Sequence, residues 1–538
     1  MQNQESGSVN QDKSESKKSQ VYGGLFGWSK YFAVFRNKLR FIIFITALIM
    51  SIILFILSYF LVRQHLSSAS RDYLTSLGQF KHRQIEDYLH QLKGQMILAS
   101  RDAVLKGAMD EFAEAFRVIE SDSYVLPEYE SLYSMITGLE SFYSADILPQ
   151  LDRIPGMDVK LPEVLPFNDK TRIIQFLYIA NNHFPSRHKN RMITAGDGST
   201  YTYTHQKYQT YFQELSSNVK VSDILLIDAK SGDIVYTYQK NIDLGRNIFS
   251  DLLKGSNLAI ACQVALAETG SETTAFSDLE LYMPAMFAPA FFIAVPIQDG
   301  INKTGLLVFK LSTQHLDNIL YGNSVTKENK FLDYDGNIYL VGEDFTYRSN
   351  DYRLITSKYD FLRQMESSDF RKRTIEQMDS LNTTANIISL DHVIFEDVLT
   401  GYDAMTTFRD AAGDKVFASI HPVVKNGLNW FLIVQTSKKA AMKFADAYMF
   451  WGLLFVILLS LIILYFINRI STSIGENLTK LKETINKMIS GGKVERLSNG
   501  SSDELGETSN YINDLASRIH DASNYAIELA DRNLDAVF

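Results

Sequence analysis

Hydrophobic residues are concentrated in two uninterrupted blocks of this 538-residue chain. Residues 41–62 read FIIFITALIMSIILFILSYFLV and residues 447–467 read AYMFWGLLFVILLSLIILYFI, and neither block contains a charged residue. Because a helix rises ~1.5 Å per residue, about 20 apolar residues cross a hydrocarbon core of ~30 Å. A Lys or Arg at the centre would cost about 3 kcal/mol, so such blocks are rarely accidental. The pattern predicts transmembrane helices at 41–62 and 447–467, rather than buried core helices or a cleaved signal peptide.

Basic residues that flank the first block predict the orientation. Four precede it within fifteen residues and two follow it: Lys30, Arg36, Lys38 and Arg40 before, and Arg63 and Arg71 after. The second block has an equal number on each side. Because loops rich in Lys and Arg stay in the cytoplasm, we expect a cytoplasmic N-terminus. Two spans then place residues 63–446 outside and return the C-terminus to the cytoplasm.

The segment before the first block, residues 1–40, divides into two parts. The first twenty residues contain no aromatic side chain, so they cannot repay the entropy of ordering, and we expect them to be disordered. Trp28, Tyr31 and Phe32 then alternate with basic residues, as in an interfacial membrane anchor. An ordinary juxtamembrane linker explains the same pattern equally well.

The external segment begins with helical periodicity and then changes to strand periodicity. Apolar residues recur at helical steps between Tyr73 and Phe116, which predicts one long helix rising from the membrane. A less regular helical stretch follows to about Asn218. The runs DILLID (223–228) and DIVYTY (233–238) around the turn AKSG then predict a β-hairpin. Further strands are predicted at 274–281, 290–297 and 305–311, with a polar connector at 298–304.

A second set of strands repeats this arrangement. It begins with FLDY at 331–334, a turn at 335–337 and a strand to residue 341, and it resumes at 404–409, 416–423 and 430–436. The prediction is an α+β chain with two antiparallel-sheet modules in tandem. The expected domains are 1–40, 41–62, 63–322 with the long helix and first module, 323–446 with the second module, 447–467, 468–520 and 521–538.

Composition excludes several classes of protein. Hydrophobic residues make up 46% of the chain, which excludes a mostly disordered protein. A formal charge of −9 and a pI near 5.7 give no basic surface for nucleic acid. One cysteine, Cys262, excludes a disulfide scaffold, a CxxC motif and multi-cysteine metal sites.

Two amphipathic helices are predicted after the second block. One seam of residues repeats at steps of four and three (Ile474, Leu478, Leu481, Ile485, Met488), and a second follows a Gly-containing break (Leu505, Thr508, Ile512, Leu515, Ile519). Two such helices cannot bury their apolar stripes alone, so a parallel homodimeric four-helix bundle is predicted. Asp503 and Glu504 stand where a helix N-terminus favours carboxylates.

The external segment resembles the double Cache sensor domains of bacterial chemoreceptors, sensor kinases and membrane cyclases. In the first module the resemblance lies in AGDGSTYxxxHxxY (195–208), DILLID, GDIVY (232–236), FSDxxxYMPAxxxPAxFIAxPI (276–297) and GLLV (305–308). In the second it lies in GNIYLVGxDxxxRS (336–349) and PVxxxGLxW (422–430). It covers roughly residues 63–440. It implies two PAS-like modules, of which the first is membrane-distal, and a location in the bacterial cytoplasmic membrane.

The segment after the second block resembles a HAMP linker, with DELG at 503–506 as its most specific motif. The proline that usually precedes the first helix's leading Leu is absent, and Asn477 stands there, which leaves the entry from the second span open. An unrelated juxtamembrane coiled coil is the alternative. Nineteen residues follow Ile519 and still have a helical pattern. The chain is therefore either the sensory half of a longer receptor or one that signals through a partner.

Catalytic and metal-binding motifs are not found in the sequence. It contains no GxxxxGK[ST], GxGxxG, HExxH or GxSxG where a strand or helix would support it. His183 and His188 have the wrong spacing for a helical metal pair, and Asp333 and Asp335 lack the further acidic positions of a calcium loop. We therefore predict no enzyme, no cofactor and no metal within these residues.

Candidate ligand-binding residues cluster in the first module. Asp278 lies in an otherwise mainly neutral strand, and several aromatic residues lie near it in the pattern: Tyr236, Tyr238, Tyr282 and Phe292. An aromatic box around one carboxylate suits a cationic or amine-bearing ligand. The resemblance implies that this module binds small molecules and that Asp278 occupies an acidic pocket position. Tyr208 is added as a candidate, although packing explains the neighbouring helical aromatics, and a structural pairing of Asp278 is an equal alternative.

The function predicted from these features is a homodimeric transmembrane receptor that senses an external small molecule. Its partners would be that ligand, the lipid bilayer and a cytoplasmic signalling protein or output domain, and not nucleic acid. Two alternatives stay open: the N-terminal half of a kinase, cyclase or phosphatase, and a non-signalling envelope scaffold.

Overall fold

The computed structural model describes residues 35–122, 129–270, 273–322, 336–368, 370–395, 403–425, 427–492, 494–497 and 503–530. They belong to two compact units. One comprises Leu66–Lys443, and the other comprises Met1–His65 with Phe444–Phe538. The predicted disordered N-terminus, the FLDY strand at 331–334 and Asp335 lie outside the described residues. The other two residues of the turn predicted at 335–337, Gly336 and Asn337, instead begin a strand.

Among the described residues, seven α-helices precede the first strand and six follow it. Their bounds are α1 Phe35–Ser100, α2 Ala103–Val118, α3 Tyr129–Phe142, α4 Leu148–Asp152, α5 Leu161–Val164, α6 Asp169–Gln175, α7 Thr200–Val219, α8 Asn257–Ala267, α9 Thr313–Tyr321, α10 Tyr352–Glu366, α11 Lys372–Leu381, α12 Lys438–Ile489 and α13 Glu504–Ala530. Single π-helical turns extend α3 and α6, at Tyr143–Ile147 and Phe176–Ala180.

The long helix predicted through Phe116 is interrupted once. Helix α1 ends at Ser100, and α2 begins at Ala103 after a turn. The reason is Asp102, whose side chain accepts a hydrogen bond from the Val104 backbone N–H at 2.6 Å and caps the new helix. The apolar periodicity continues across this break because both helices bury one face in the same hydrophobic cluster.

The first sheet has six antiparallel strands in the order β2-β1-β6-β5-β3, with β4 also beside β5. Their bounds are β1 Asp223–Asp228, β2 Ile234–Thr237, β3 Ala275–Phe276, β4 Glu280–Tyr282, β5 Ala288–Asp299 and β6 Asn302–Ser312. The predicted hairpin is present. The single strand predicted at 274–281 is instead two short strands, because the Leu279 backbone N–H donates to the Asp278 side chain at 2.7 Å instead of to a neighbouring strand. The predicted connector 298–304 is mostly strand, since β5 and β6 join in a tight hairpin.

The second sheet has four antiparallel strands in the order β7-β10-β9-β8. Their bounds are β7 Gly336–Gly342, β8 Ala404–Arg409, β9 Lys415–Lys425 and β10 Leu428–Ser437. Strand β10 is followed directly by α12. Each sheet contributes one face to a large hydrophobic cluster shared with α1, and the other face to a smaller cluster of its own.

Helices α1 and α12 each contain a stretch long and apolar enough to cross a membrane, with mean hydropathy 2.9 and 2.8. Within the second compact unit, the hydroxyls of Ser58 and Tyr448 lie 2.6 Å apart, and Gly452 lies against the ring of Phe55. Asp503 caps α13, because its side chain accepts from the Gly506 backbone N–H at 3.1 Å. This is the role expected of a carboxylate at that position.

Candidate functional site

The first sheet separates the predicted ligand residues into two groups. Tyr208, Tyr236 and Tyr238 belong to the cluster that the sheet shares with α1, α2 and α7. Tyr282 and Phe292 belong to the cluster on the opposite face, under α8. We call this opposite face the α8 face. One aromatic box containing all five rings is therefore not formed.

Tyr236 and Tyr208 make contacts typical of a packed interior. The Tyr236 hydroxyl donates to Gln209 Oε1 at 2.8 Å, and its ring lies 4.8 Å from that of Phe112 and 4.3 Å from that of Phe212. The Tyr208 hydroxyl donates to Glu111 Oε1 at 2.8 Å. These contacts favour packing over ligand binding on this face.

Asp278 is engaged by the second sheet's module instead of by an aromatic box. Arg348 donates to both of its oxygens, from Nε to Oδ1 at 2.7 Å and from Nη2 to Oδ2 at 2.6 Å. The indole N–H of Trp430 donates to Oδ1 at 2.6 Å. The contacts therefore agree with the structural alternative for Asp278, while a ligand-binding role for it remains a prediction.

A cluster of buried polar groups lies at one end of the α8 face. Lys310 on β6 pairs with Asp223 on β1 at 3.2 Å, and the two residues are register partners. The Tyr282 hydroxyl donates to Asp243 Oδ2 at 2.9 Å. The Lys310 ammonium also lies 5.7 Å from the centre of the Tyr282 ring. We call Asp223, Asp243, Tyr282 and Lys310 the buried polar cluster.

Asp243 is the member of this cluster with unused hydrogen-bonding capacity. It is fully buried, and its Oδ1 atom has no hydrogen-bond partner among the described residues. A buried carboxylate oxygen without a partner loses the free energy of its hydration, so such atoms are rare in folded proteins. Oδ1 is thus an acceptor that a donor from outside the chain could satisfy.

The electrostatics of the cluster follow from its burial. Burial raises the pKa of Asp243 to about 6, opposed by the charge of Lys310 and reinforced by that of Asp223. Lys240 is not a member of the cluster, but burial likewise lowers its pKa to about 7, opposed by the charge of Asp223. Perturbed groups of this kind are enriched at functional sites, although structural networks also contain them. A cationic group placed beside Asp243 would favour its ionised form.

The loop that carries Asp243 is held in place by the helical segment before it. Gln175 donates to the backbone carbonyls of Ile242 and Leu244 at 2.8 and 2.9 Å. Gly245 adopts φ +79°, and a Cβ there would lie 2.7 Å from Ile174. The position of Asp243 is therefore fixed by packing, as a preorganised binding site requires.

Little in the sequence pattern indicates a role for Asp243. It lies in a turn between β2 and α8, outside any strand with a two-residue period. Its neighbours in the fold are distant in the chain, since Tyr282 is 39 residues away. The sequence did identify Tyr282 and Phe292, which lie on the α8 face, 4.9 Å apart between ring centres. The motif at 276–297 contains both Asp278 and Tyr282, four residues apart, and it brought the prediction close to the site.

Metal binding has no support among the described residues, where no group of three or more His, Cys, Asp or Glu side chains is arranged to hold an ion. The polar groups of the cluster instead offer a carboxylate acceptor, a phenol and an ammonium already paired with Asp223. This donor set suits an organic molecule that carries a positive or hydrogen-bond-donating group.

Comparisons with known proteins found relatives only among solved structures. No family model matches the chain, and no curated protein matches it. The ligand-binding domain of the Pseudomonas fluorescens chemoreceptor CtaA, in complex with L-isoleucine, is 11% identical with a TM-score of 0.31, over 71% of this chain and 98% of that chain. The sensory domain of the Campylobacter jejuni chemoreceptor Tlp3, with isoleucine bound, is 8% identical with a TM-score of 0.30, over 70% and 97%.

The extracellular domain of the histidine kinase vpHK1S-Z8 is also similar, at 14% identity and a TM-score of 0.28, over 58% of this chain and 96% of that chain. At TM-scores of this size we transfer no residue role from these structures. The three solved structures named here are thus a ligand-binding domain and a sensory domain of chemoreceptors and the extracellular domain of a histidine kinase, which are classes of protein named in the double Cache resemblance.

Proposed function

We propose that this chain is a transmembrane sensory receptor whose first module binds a small molecule bearing an amino group. The observation that carries the proposal is the buried Oδ1 atom of Asp243, which has no hydrogen-bond partner among the described residues. An ammonium group would supply both a donor to this atom and a countercharge. Charge-assisted hydrogen bonds are worth about 1.5–3 kcal/mol, which is enough to anchor a small ligand.

The rest of the cluster would then select the ligand's shape and charge. Tyr282 orients the Asp243 carboxylate by donating to its other oxygen, so Oδ1 faces away from that bond. Asp223 neutralises Lys310, and the Phe292 ring borders the Tyr282 ring. The apolar residues around α8 would contact the non-polar part of the ligand.

The membrane topology forms the second part of the proposal. Residues 41–62 and 447–467 would cross the bacterial cytoplasmic membrane, with the unit Leu66–Lys443 outside and both termini in the cytoplasm. The basic residues before the first block and the two apolar helices support this arrangement. Since β10 is followed directly by α12, a displacement of the second sheet could reach the second span without an intervening loop.

The cytoplasmic part of the proposal is a HAMP-like relay in a parallel homodimer. Leu478, Ile485, Leu515 and Ile519 are exposed apolar residues on the predicted seams of α12 and α13, and a second copy would cover them. A ligand could switch such a dimer only by binding one conformation more tightly, by about 5.5 kcal/mol for a complete switch from 1:99 to 99:1. The proposal contains no catalytic step in this chain, and a cytoplasmic signalling partner or output domain would read the state of α13.

A binding screen with a matched variant tests the ligand proposal. The full chain in lipid nanodiscs would be titrated with ethanolamine, putrescine, L-alanine and acetate, and the shift in Tm would be measured for wild type, Asp243→Asn and the exposed-carboxylate control Asp379→Asn. We expect at least one amine to raise the Tm of wild type and of the control but not of Asp243→Asn. A shift caused by acetate alone, or an amine-dependent shift that Asp243→Asn retains, would contradict the proposal.

A further inference from the structure

The connector between β3 and β4, residues 277–279, is bound from the second module by three different side chains. Arg348, which follows β7, makes the two-point contact with the Asp278 carboxylate. Trp430 on β10 donates to the same carboxylate. Asn386 donates to the Leu279 carbonyl at 2.9 Å. All three donors therefore converge on two adjacent residues, Asp278 and Leu279.

The arginine in this contact is specialised for the role. The Arg348 side chain is 3% exposed, whereas that of Asp278 is 40% exposed. The buried partner of this ion pair is therefore the arginine of the second module. Burial alone would lower the pKa of Arg348, but hydrogen bonds and charges from Asp278 and Asp344 raise it overall. A cation buried to this extent depends on its carboxylate partners, because an unpaired one costs several kcal/mol of solvation. Asp344 belongs to the same module, so among the described residues the ion pair with Asp278 is the one that links Arg348 to the first module.

The connector also leads to the buried polar cluster. Tyr282, which binds Asp243, lies at the end of β4, four residues after Asp278. On the other side, Trp430 lies on β10, and its ring meets that of Phe291 on β5 at 5.6 Å in an edge-on contact. Strand β10 then runs into α12. A short sequence of bonded groups therefore joins Asp243 to the start of the helix that contains the second apolar block.

The geometry points to Asp278 as a coupling residue that transmits movement of β4 to β10 through Arg348 and Trp430. In this role the Asp278 carboxylate touches no ligand. Without it, a structural change at Asp243 would no longer alter the stability of strand β10. The proposal rests on the proposed receptor function for its biological purpose, but the coupling is a property of the unliganded chain. It can therefore be measured with no ligand, and its failure would leave the ligand proposal standing.

Hydrogen exchange measured by mass spectrometry on the full chain in lipid nanodiscs tests the coupling. Tyr282→Phe removes the bond to Asp243 and serves as the perturbation, and exchange of the peptide covering Leu428–Ser437 is the readout. We expect Tyr282→Phe to speed exchange in that peptide about threefold to tenfold, the range of one lost buried hydrogen bond. In an Asp278→Asn background, Tyr282→Phe should cause no further change there.

The control background is Asp379→Asn, which removes a salt bridge to Lys358 within the second module and should leave the response to Tyr282→Phe intact. If Asp278→Asn does not fold, Trp430→Phe decides, because it keeps an aromatic ring near Phe291 and removes the indole N–H that donates to Asp278. In the Trp430→Phe background, the increase in exchange rate that Tyr282→Phe causes in the Leu428–Ser437 peptide should be at least twofold smaller than in wild type. The proposal is overturned if Tyr282→Phe leaves β10 unchanged in wild type, or if the response is undiminished in Asp278→Asn or in Trp430→Phe.

Discussion

Replacing Asp243 by asparagine should stabilise the unliganded chain at neutral and higher pH. In the folded protein the pKa of Asp243 is raised from the ordinary 3.8 to about 6. Ionising it in the folded state therefore costs about 3 kcal/mol more than in the unfolded state, since tenfold in an equilibrium constant is about 1.4 kcal/mol. Asparagine has nearly the same shape and no charge, so the variant avoids this cost.

The direction of the pH dependence follows from the same pKa. A carboxyl whose folded pKa is raised binds more protons in the folded state, so its contribution to stability is lost as pH rises from about 4 to about 6. Below pH 4 both variants carry a neutral side chain at position 243 and should be similarly stable. The difference in Tm between Asp243→Asn and wild type should therefore be small at pH 4, grow through pH 6 and stay constant above it.

Differential scanning calorimetry of both chains in lipid nanodiscs, at pH values from 4 to 8, would measure this difference. If about 2 kcal/mol of the cost is recovered, the Tm of Asp243→Asn should be about 2–3 °C higher at pH 8, since Asp243 lies in the large unit Leu66–Lys443. Other buried acids such as Asp317, whose pKa burial raises to about 7, titrate in both chains and cancel in the difference. A lower Tm for Asp243→Asn at pH 8, or a difference independent of pH, would refute the assignment of Asp243 as a strained buried acid.

Three further predictions follow from the structure and the sequence. Asp278→Asn should lower the Tm of the unliganded chain by about 2–3 °C, corresponding to about 2 kcal/mol from the lost charge-assisted bonds to Arg348. The exposed control Asp379→Asn should change it by less than about 1 °C, and equal effects would contradict the structural role. Reporter fusions at Ser19 and Ser501 should read cytoplasmic and a fusion at Asn323 external, and an external reading at Ser501 would break the two-span topology. Cysteines at Leu481 and Ile485 should crosslink between two copies of the chain more than a cysteine at Lys480, and equal yields would remove the heptad argument.

The strands could be predicted from the sequence because their patterns are local. The hairpin around residues 229–232 has short apolar runs on both sides of a Gly-containing turn, and the structure places β1 and β2 there. The three later strands of the second sheet also lie at the predicted positions, within two residues at each end. The predicted long helix was interrupted by a side chain with a local role, the helix cap at Asp102, whereas the predicted connector 298–304 was replaced by an extension of β5 and β6.

The candidate site could be predicted only in part, because its contacts join distant segments of the chain. A two-residue period places Tyr236 and Tyr238 on one side of β2, but it does not tell which side of the sheet β4 presents. Only the pairing of β4 with β5 puts Tyr282 on the opposite face. The sequence pattern singled out the Asp278 carboxylate, but it could not identify its partner Arg348, which is 70 residues away in the chain. Asp243 belongs to no sequence motif or periodic segment. Its carboxylate is unusual because it is buried, and burial at this position is visible only in the fold.

The central claim is that Asp243 in the first module anchors an amine-bearing ligand, and isothermal titration calorimetry tests it most directly. The amine that gives the largest Tm shift in the screen would be titrated into the full chain in nanodiscs, as wild type, Asp243→Asn and Asp278→Asn. We predict a Kd about ten- to a hundredfold weaker for Asp243→Asn, the loss expected for one charge-assisted contact, and a Kd within about threefold of wild type for Asp278→Asn. Unchanged affinity in Asp243→Asn together with a large loss in Asp278→Asn would contradict the claim and return the anchoring role to Asp278.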